Sequence, residues 1–404
     1  MRILHVAFIY GDNATGGAAI AATRLHNTLL DDGIDSWFVC VMQRQGGKNV
    51  IQIPKEGSLK RSFFLFTTKL LRNVWRYSSI KQKESINFIP SGLGAVVSNL
   101  HPDLVQLHGI GADSFSFEEI SKLKVPVLGT LHEFNLINGF APYPYDDCRL
   151  FNGFTTQNSS KLERWVWLRK KKMAETLNMS FVGPSDWVVD QARKSVIAKM
   201  HEVYMLPNII SSIYSYDASL RKKHSKFTLI FGCNGGINNE FKGFDDLKST
   251  LLLLTPEEQR HIKLLVFGDV CDNFKIGEVE VEVCGIISAA ADLKVLYHQG
   301  DVFAFPSKTE TQGMVKVEAW LCGLPVIAFN RTACGENIKN KENGWCCESI
   351  QDFADGIRYY MQQFISNNLN DCFPKISSWA EQNYSKESIL RKAKDIYNKI
   401  LKTK

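Results

Sequence analysis

A chain of 404 residues is longer than one hydrophobic core usually serves, so two domains of ordinary size are expected. Hydrophobic residues at 45% and charged residues at 22% exclude a disordered chain. The net charge of +6 is modest, no apolar run reaches the roughly 18 residues that span a bilayer, and Met1–Tyr10 lacks the apolar core and cleavage site of a signal peptide; together these predict a cytoplasmic protein.

In chain order, Arg2–Tyr10 is a short apolar run broken by the glycine-rich stretch Gly11–Gly17, and Ala18–Leu30 then carries apolar residues at helical spacing until Gly33. Ser36–Val41 follows as a buried-strand candidate. Strand, turn, helix and strand in that order form a βαβ unit and imply a parallel sheet. The alternation returns at Asp103–Leu107, Pro126–Leu131 and Phe181–Gly183. A second series has strands at Phe227–Phe231, Ile262–Phe267, Asp301–Phe305 and Pro325–Phe329, with helices at Asp245–Leu254 and Ala289–Tyr297. The fold class expected is therefore α/β: two doubly wound, Rossmann-like domains facing a central cleft, divided as 1–206 and 207–377. Ser378–Leu401 reads as one amphipathic helix within a final segment, 378–404, and periodicity leaves open which domain it joins. Ten cysteines, eight of them after residue 230, show no framework spacing and no C-x-x-C pair, and read as reduced and mostly buried.

The chemistry concentrates after the third strand of the second series. Gly313 would let backbone approach a ligand, Met314–Cys322 would be a helix closed by Gly323 and Pro325, and the amides near Met314 and Val315 suit a diphosphate. Carboxylates beside a phosphate site accept from neutral hydroxyls more readily than they meet the anion, which points Glu310 and Glu318 at a sugar ring and a ribose diol. The spacing alone equally allows Glu310 as a solvated loop charge and Glu318 as a surface helix residue. Gly11–Gly17 does not fit the G-x-G-x-x-G of a dinucleotide oxidoreductase, and the absence of a D-x-D triplet disfavours a metal-dependent transferase. The adjacent acids Asp146–Asp147 and Asp245–Asp246 give no metal argument. Lys60–Arg76 and Lys161–Lys172 interleave basic and large apolar residues, as expected of helices on an anionic bilayer or of solvated helices over a core; no nucleic-acid motif accompanies them.

The run ETQGMVKVEAWLCGLPVIAF, residues 310–329, resembles the E-x7-E element of retaining GT-B glycosyltransferases of family 4. The resemblance continues in order through Gly16–Leu25, Leu107–Gly109, Gly129–Glu133, Gly183–Trp187, Leu206–Asn208 and Phe241–Phe244, and is strongest to bacterial polysaccharide-assembly enzymes of the colanic acid type. It implies retaining transfer of a sugar from a UDP- or GDP-linked donor to a glycan or lipid-linked glycan, in surface polysaccharide, lipopolysaccharide or O-antigen synthesis. It implies no cofactor and no metal, and contact with the inner membrane face. By residue, it implies that Glu310 holds donor-sugar hydroxyls, Glu318 the ribose, Lys242 the diphosphate, and that His132 reaches the donor sugar near its reactive face. Gly16 and Gly17 would form a loop near the diphosphate and acceptor, Gly268, Gly285 and Ile286 would contact the base, and His108 and Glu133 would line the cleft. No arginine occurs within residues 231–242, where many relatives carry one, and Glu133 stands where close relatives more often have Asp. A nucleotide-sugar epimerase of the same architecture and a non-catalytic sugar-nucleotide-binding protein are the alternatives.

Overall fold

The computed structural model describes residues 1–12, 16–54, 85–141, 148–233, 235–270 and 274–402, with Phe63, Phe66, Thr67 and Leu70. The chain divides into two compact units, one of Met1–Asn208 with Leu390–Lys404 and the other of Ile209–Ile389. Each has its own parallel sheet.

In the first unit the strands are β1 (Arg2–Tyr10), β2 (Asp35–Gln43), β3 (Val50–Gln52), β4 (Leu104–Leu107), β5 (Val127–Thr130), β6 (Met179–Gly183) and β7 (Val203–Met205), in the spatial order β3-β2-β1-β4-β5-β6-β7. β4 and β5 are buried along their whole length, as strands covered on both faces must be, and their two polar side chains, Gln106 and Thr130, bond each other, Gln106 Nε2 donating to Thr130 Oγ1 at 2.9 Å. The short edge strands β3 and β7, three residues each, leave no run long enough to detect from periodicity.

The second unit has β8 (Phe227–Cys233), β9 (Ile262–Gly268), β10 (Glu280–Gly285), β11 (Val302–Phe305), β12 (Val326–Phe329) and β13 (Gly344–Cys347), in the order β10-β9-β8-β11-β12-β13. β10 is a charged edge, with Glu282 2.6 Å from Lys263 on β9, so its sequence hides it; such charges also discourage pairing with another chain. In each unit the order reverses once, between β1 and β4 and between β8 and β11. In open α/β sheets, ligands bind outside the carboxyl ends of the strands at such a reversal point.

The expected single helix after residue 378 is two helices, Phe373–Tyr384 and Lys386–Lys402, broken where Ser385 is extended. From Leu390 onward the last helix belongs to the first unit. There the Tyr397 hydroxyl donates to Gln106 Oε1 on β4 at 2.6 Å, and Lys394 pairs with Asp32.

Candidate functional site

Lys242 follows β8 and Glu310 follows β11, the two strands at the reversal point of the second unit. Their loops are tied together by backbone: Lys308 N–H donates to the Phe241 carbonyl at 2.9 Å, and Gly243 has φ +68°. A Cβ at Gly243 would stand 2.0 Å from the Pro306 carbonyl oxygen, so only glycine allows this approach. The result is an ion pair, Lys242 Nζ to Glu310 Oε1, 2.7 Å long and part-buried. Burial works against the lysine's charge, but the adjacent carboxylate outweighs it and raises the pKa, so Lys242 stays a cation. Glu310 is fixed in turn, its N–H donating to Thr332 Oγ1 at 3.0 Å.

Three residues on, Gly313 (φ +77°) caps the helix Met314–Leu321, with the Phe305 ring 2.7 Å from where a Cβ would stand. The first amide to bond back is that of Lys316, to the Gly313 carbonyl; among the described residues no acceptor is paired with the amides of Met314 and Val315. The amino end of this helix therefore presents N–H groups, and its cap Gly313 lies three residues after the carboxylate that Lys242 holds. Glu318 is 5% exposed and accepts from the Tyr297 hydroxyl at 3.3 Å, which excludes the surface-helix alternative for it; pairing with Lys242 likewise excludes an isolated solvated charge for Glu310. Gly268 ends β9 with φ +121° under the Cys233 carbonyl, while Gly285 ends β10 with open space over its Cα and Ile286 beside it is 70% exposed. All of these lie at the carboxyl edge of one sheet.

Lys316 carries no signal in the motif, yet it is built into the site. It is 3% exposed, and its Nζ donates to the carbonyls of Ala333, Cys334 and Glu336 at 2.8, 3.0 and 3.0 Å. Burial lowers its pKa to about 8, while the three carbonyl dipoles favour the charged form. Lys316 staples residues 333–336 under the helix, and Ala333 N–H bonds the Glu310 carbonyl. A lone lysine on the inner side of an otherwise apolar helical run was the available clue.

In the first unit Gly16 (φ +140°) caps the helix Gly17–Asp31 after β1. His108 follows β4 and His132 follows β5, adjacent strands, so the two rings meet with His108 Nδ1 3.0 Å from His132 Nε2. His108 Nε2 lies 3.0 Å from Nδ1 of His5 on β1, a residue not singled out in the sequence. With 1% exposure and both nitrogens taken, His108 does not line a cleft. Burial lowers the pKa of His132 to about 4 and those of His5 and His108 well below the ordinary value, so all three are neutral near neutrality. The carboxylate of Glu133 accepts from Asn135 Nδ2 at 2.6 Å, and burial raises its pKa.

The basic segments divide. Lys60–Arg76 lies outside the described residues except for Phe63, Phe66, Thr67 and Leu70, and Asp146–Asp147 lies outside them altogether. Lys161–Thr176 is a helix, but Trp167 and Lys170 point inward, Lys170 donating to the carbonyls of Asn138 and Gly139 at 3.1 and 2.7 Å. The outer face keeps Lys161, Trp165, Leu168 and Lys172. Among the described residues no helix is long and apolar enough to cross a membrane, and no group of three His, Cys, Asp or Glu is placed to hold a metal.

Comparison with known proteins agrees with this arrangement. The whole chain superposes on sucrose-phosphate synthase from Thermosynechococcus elongatus with a TM-score of 0.66 at 14% identity, covering 100% of both chains. HepE of Anabaena, solved in complex with UDP and glucose, gives 0.63 at 16% identity over 99% of this chain and 100% of its own. The fold is GT-B. Within the second GT-B domain, residues 228–363 match the family described as glycosyl transferases group 1, a span that holds Lys242, Lys316 and both carboxylates. An uncharacterized glycosyltransferase of Haemophilus influenzae is 28% identical over 127 residues, 29% of this chain; the chain spans about a third of that relative's length (35%).

Proposed function

We propose that the protein is a retaining glycosyltransferase that moves a sugar from a UDP- or GDP-linked donor to a glycan or lipid-linked glycan in bacterial surface polysaccharide synthesis. One observation carries this reading: the Lys242–Glu310 pair at 2.7 Å, set at the reversal point of the second sheet beside the amino end of Met314–Leu321. The lysine and the amides of Met314 and Val315 suit a diphosphate, and the carboxylates suit hydroxyls. An ammonium has three N–H donors, so Lys242 can hold Glu310 and a phosphate oxygen together. The group-1 match over 228–363 and the UDP and glucose bound by HepE support the same donor chemistry.

In the reaction proposed, the bond from the anomeric carbon to the diphosphate oxygen breaks. The acceptor oxygen bonds that carbon on the same face, and the acceptor proton passes to the departing phosphate. Lys242 and the helix amides stabilise the charge growing on the diphosphate, Glu310 holds the sugar, Glu318 the ribose, and Gly268, Gly285 and Ile286 the base. Gly16, Gly17, His132 and Glu133 serve the sugar and acceptor. This chemistry calls for no metal or cofactor.

The test is a thermal-shift series with UDP- and GDP-sugars, followed by donor turnover with and without a lipid-linked glycan. A true donor at about 100 times its Kd should stabilise the fold by about 2.7 kcal/mol. Stabilisation by no nucleotide sugar would sink the proposal, and sugar interconversion with donor alone would establish the epimerase instead.

Peripheral contact with an anionic membrane is the second part of the proposal. Trp165 and Leu168 are 41% and 42% exposed between Lys161 and Lys172, and the exposed ring of Phe88 lies 6.2 Å from Trp165. A paired aromatic and basic face of this kind suits a lipid headgroup region. Substituting Ser for Trp165 and Leu168 should weaken binding to phosphatidylglycerol vesicles about tenfold, roughly 1.4 kcal/mol, with donor turnover in solution unchanged. Equal vesicle binding by variant and wild type would leave this face merely solvated.

A further inference from the structure

Thr332 has a backbone that a β-branched residue rarely adopts. Its φ is +52°, in the left-handed region where a side chain crowds the backbone and where glycine or asparagine is the usual choice. Such strain persists only where neighbouring contacts hold it, and it collects at functional sites. Here the contacts lie on both sides. The Lys316 ammonium grips the carbonyls of Ala333, Cys334 and Glu336 just after Thr332. Just before it, Arg331 Nη1 lies 2.6 Å from Asp246 Oδ2, in the first turn of the helix Phe244–Leu252 that starts two residues after Lys242.

This reversed turn delivers two hydrogen bonds to one residue. The Thr332 hydroxyl accepts from the Glu310 N–H at 3.0 Å, and the next amide, Ala333 N–H, donates to the Glu310 carbonyl at 3.3 Å. Glu310 therefore has both its N–H and its carbonyl fixed by consecutive residues of a strained turn, while its carboxylate meets Lys242 at 2.7 Å. Glycine at 332 would relax the backbone and lose the hydroxyl, so the strain and the oxygen come together. We infer that Thr332 is a positioning residue for sugar transfer: its hydroxyl, aimed by the left-handed turn that Lys316 and Arg331 hold, sets where the Glu310 carboxylate meets the donor sugar. The placement of Glu310 follows from contacts within the second unit alone, whereas its effect on turnover rests on the glycosyltransferase reading.

Three variants of the full chain separate the oxygen from the strain. Thr332→Ser keeps the hydroxyl, Thr332→Val keeps the branched shape without it, and Thr332→Gly removes both the hydroxyl and the strain. Without substrate, hydrogen exchange of the Glu310 amide, read by mass spectrometry, should quicken about tenfold in the Val and Gly variants and stay within about twofold of wild type in the Ser variant. Equal exchange in wild type and Thr332→Val overturns the positioning role. In urea, Thr332→Gly should unfold at a higher midpoint than Thr332→Val, because only the latter retains the strain; the reverse order overturns the strained turn. Turnover is followed with UDP-glucose, UDP-N-acetylglucosamine and GDP-mannose. With whichever of these the wild type consumes, Thr332→Val should lower kcat/KM about tenfold and Thr332→Ser by less than about twofold, and in a Glu310→Ala background Thr332→Val should change it by less than about twofold. A full tenfold loss in that background would mean that Thr332 does not act through Glu310. A wild type that consumes none of the three, with the exchange pattern as expected, speaks against the glycosyltransferase reading and leaves the placement of Glu310 standing.

Discussion

Lys242→Met is expected to slow sugar transfer by about 100- to 1,000-fold, which corresponds to roughly 3–4 kcal/mol of lost transition-state stabilisation. In the proposed reaction the diphosphate gains charge as it leaves, and the groups that would meet that charge are one raised-pKa lysine and two helix-end amides. No arginine stands in the preceding stretch, residues 231–242, to share the load. Glu310→Gln should cost less, about tenfold, because an amide oxygen still accepts from a hydroxyl. The two losses should not add: Lys242→Met also strands the Glu310 carboxylate that it held at 2.7 Å, and the double variant relieves that. The check is kcat/KM for the donor in both single variants and the double, alongside urea unfolding. Wild-type turnover in Lys242→Met would remove this lysine from the chemistry, and strict additivity would mean that the pair does not act as a unit.

The second large effect is on stability. Buried imidazoles in the first unit resist protonation: burial lowers His26 and His132 to about 4, and His5 and His108 well below the ordinary value of 6.5. A depressed folded-state pKa means that the unfolded chain takes up protons first on acidification. The stability is therefore fully present above about pH 6.5 and is lost progressively as pH falls from there toward 4. By about pH 5, His26 and His132 each forfeit about 2 kcal/mol. Asp301, raised by burial to about 6 in the second unit, opposes this by about 1 kcal/mol, and Glu133 acts in the same opposing direction. The net expectation is a loss of at least about 2 kcal/mol between about pH 7 and pH 5, read as a lower urea midpoint. A midpoint that holds or rises over that range would contradict neutral burial of these rings.

Much of the architecture was legible because apolar periodicity is a local signal. The runs at β1, β2, β4, β5, β6, β8, β9, β11 and β12 announce buried parallel strands, and the glycines before Gly17–Asp31 and Met314–Leu321 announce helices that begin at a strand's carboxyl end. The charged edge strand β10 and the three-residue strands β3 and β7 escaped because what makes them strands is a neighbour, not their own pattern. In Lys161–Thr176, alternation of basic and aromatic residues concealed that Trp167 and Lys170 are core while Trp165 and Leu168 are outside.

What the amino-acid order alone determined was the two-series α/β plan and the neighbourhood of Glu310, Gly313 and Glu318, since those residues are close in sequence and one turn and one helix set their spacing. Only the tertiary structure decided that Lys242 touches Glu310 from 68 positions away, that His5 ends a chain begun at His132, and that Lys316 is buried on three carbonyls. Such partners are chosen by strand order: β8 lies next to β11 and β1 next to β4 only after the sheet closes around its reversal point, and no local periodicity encodes which strands become neighbours.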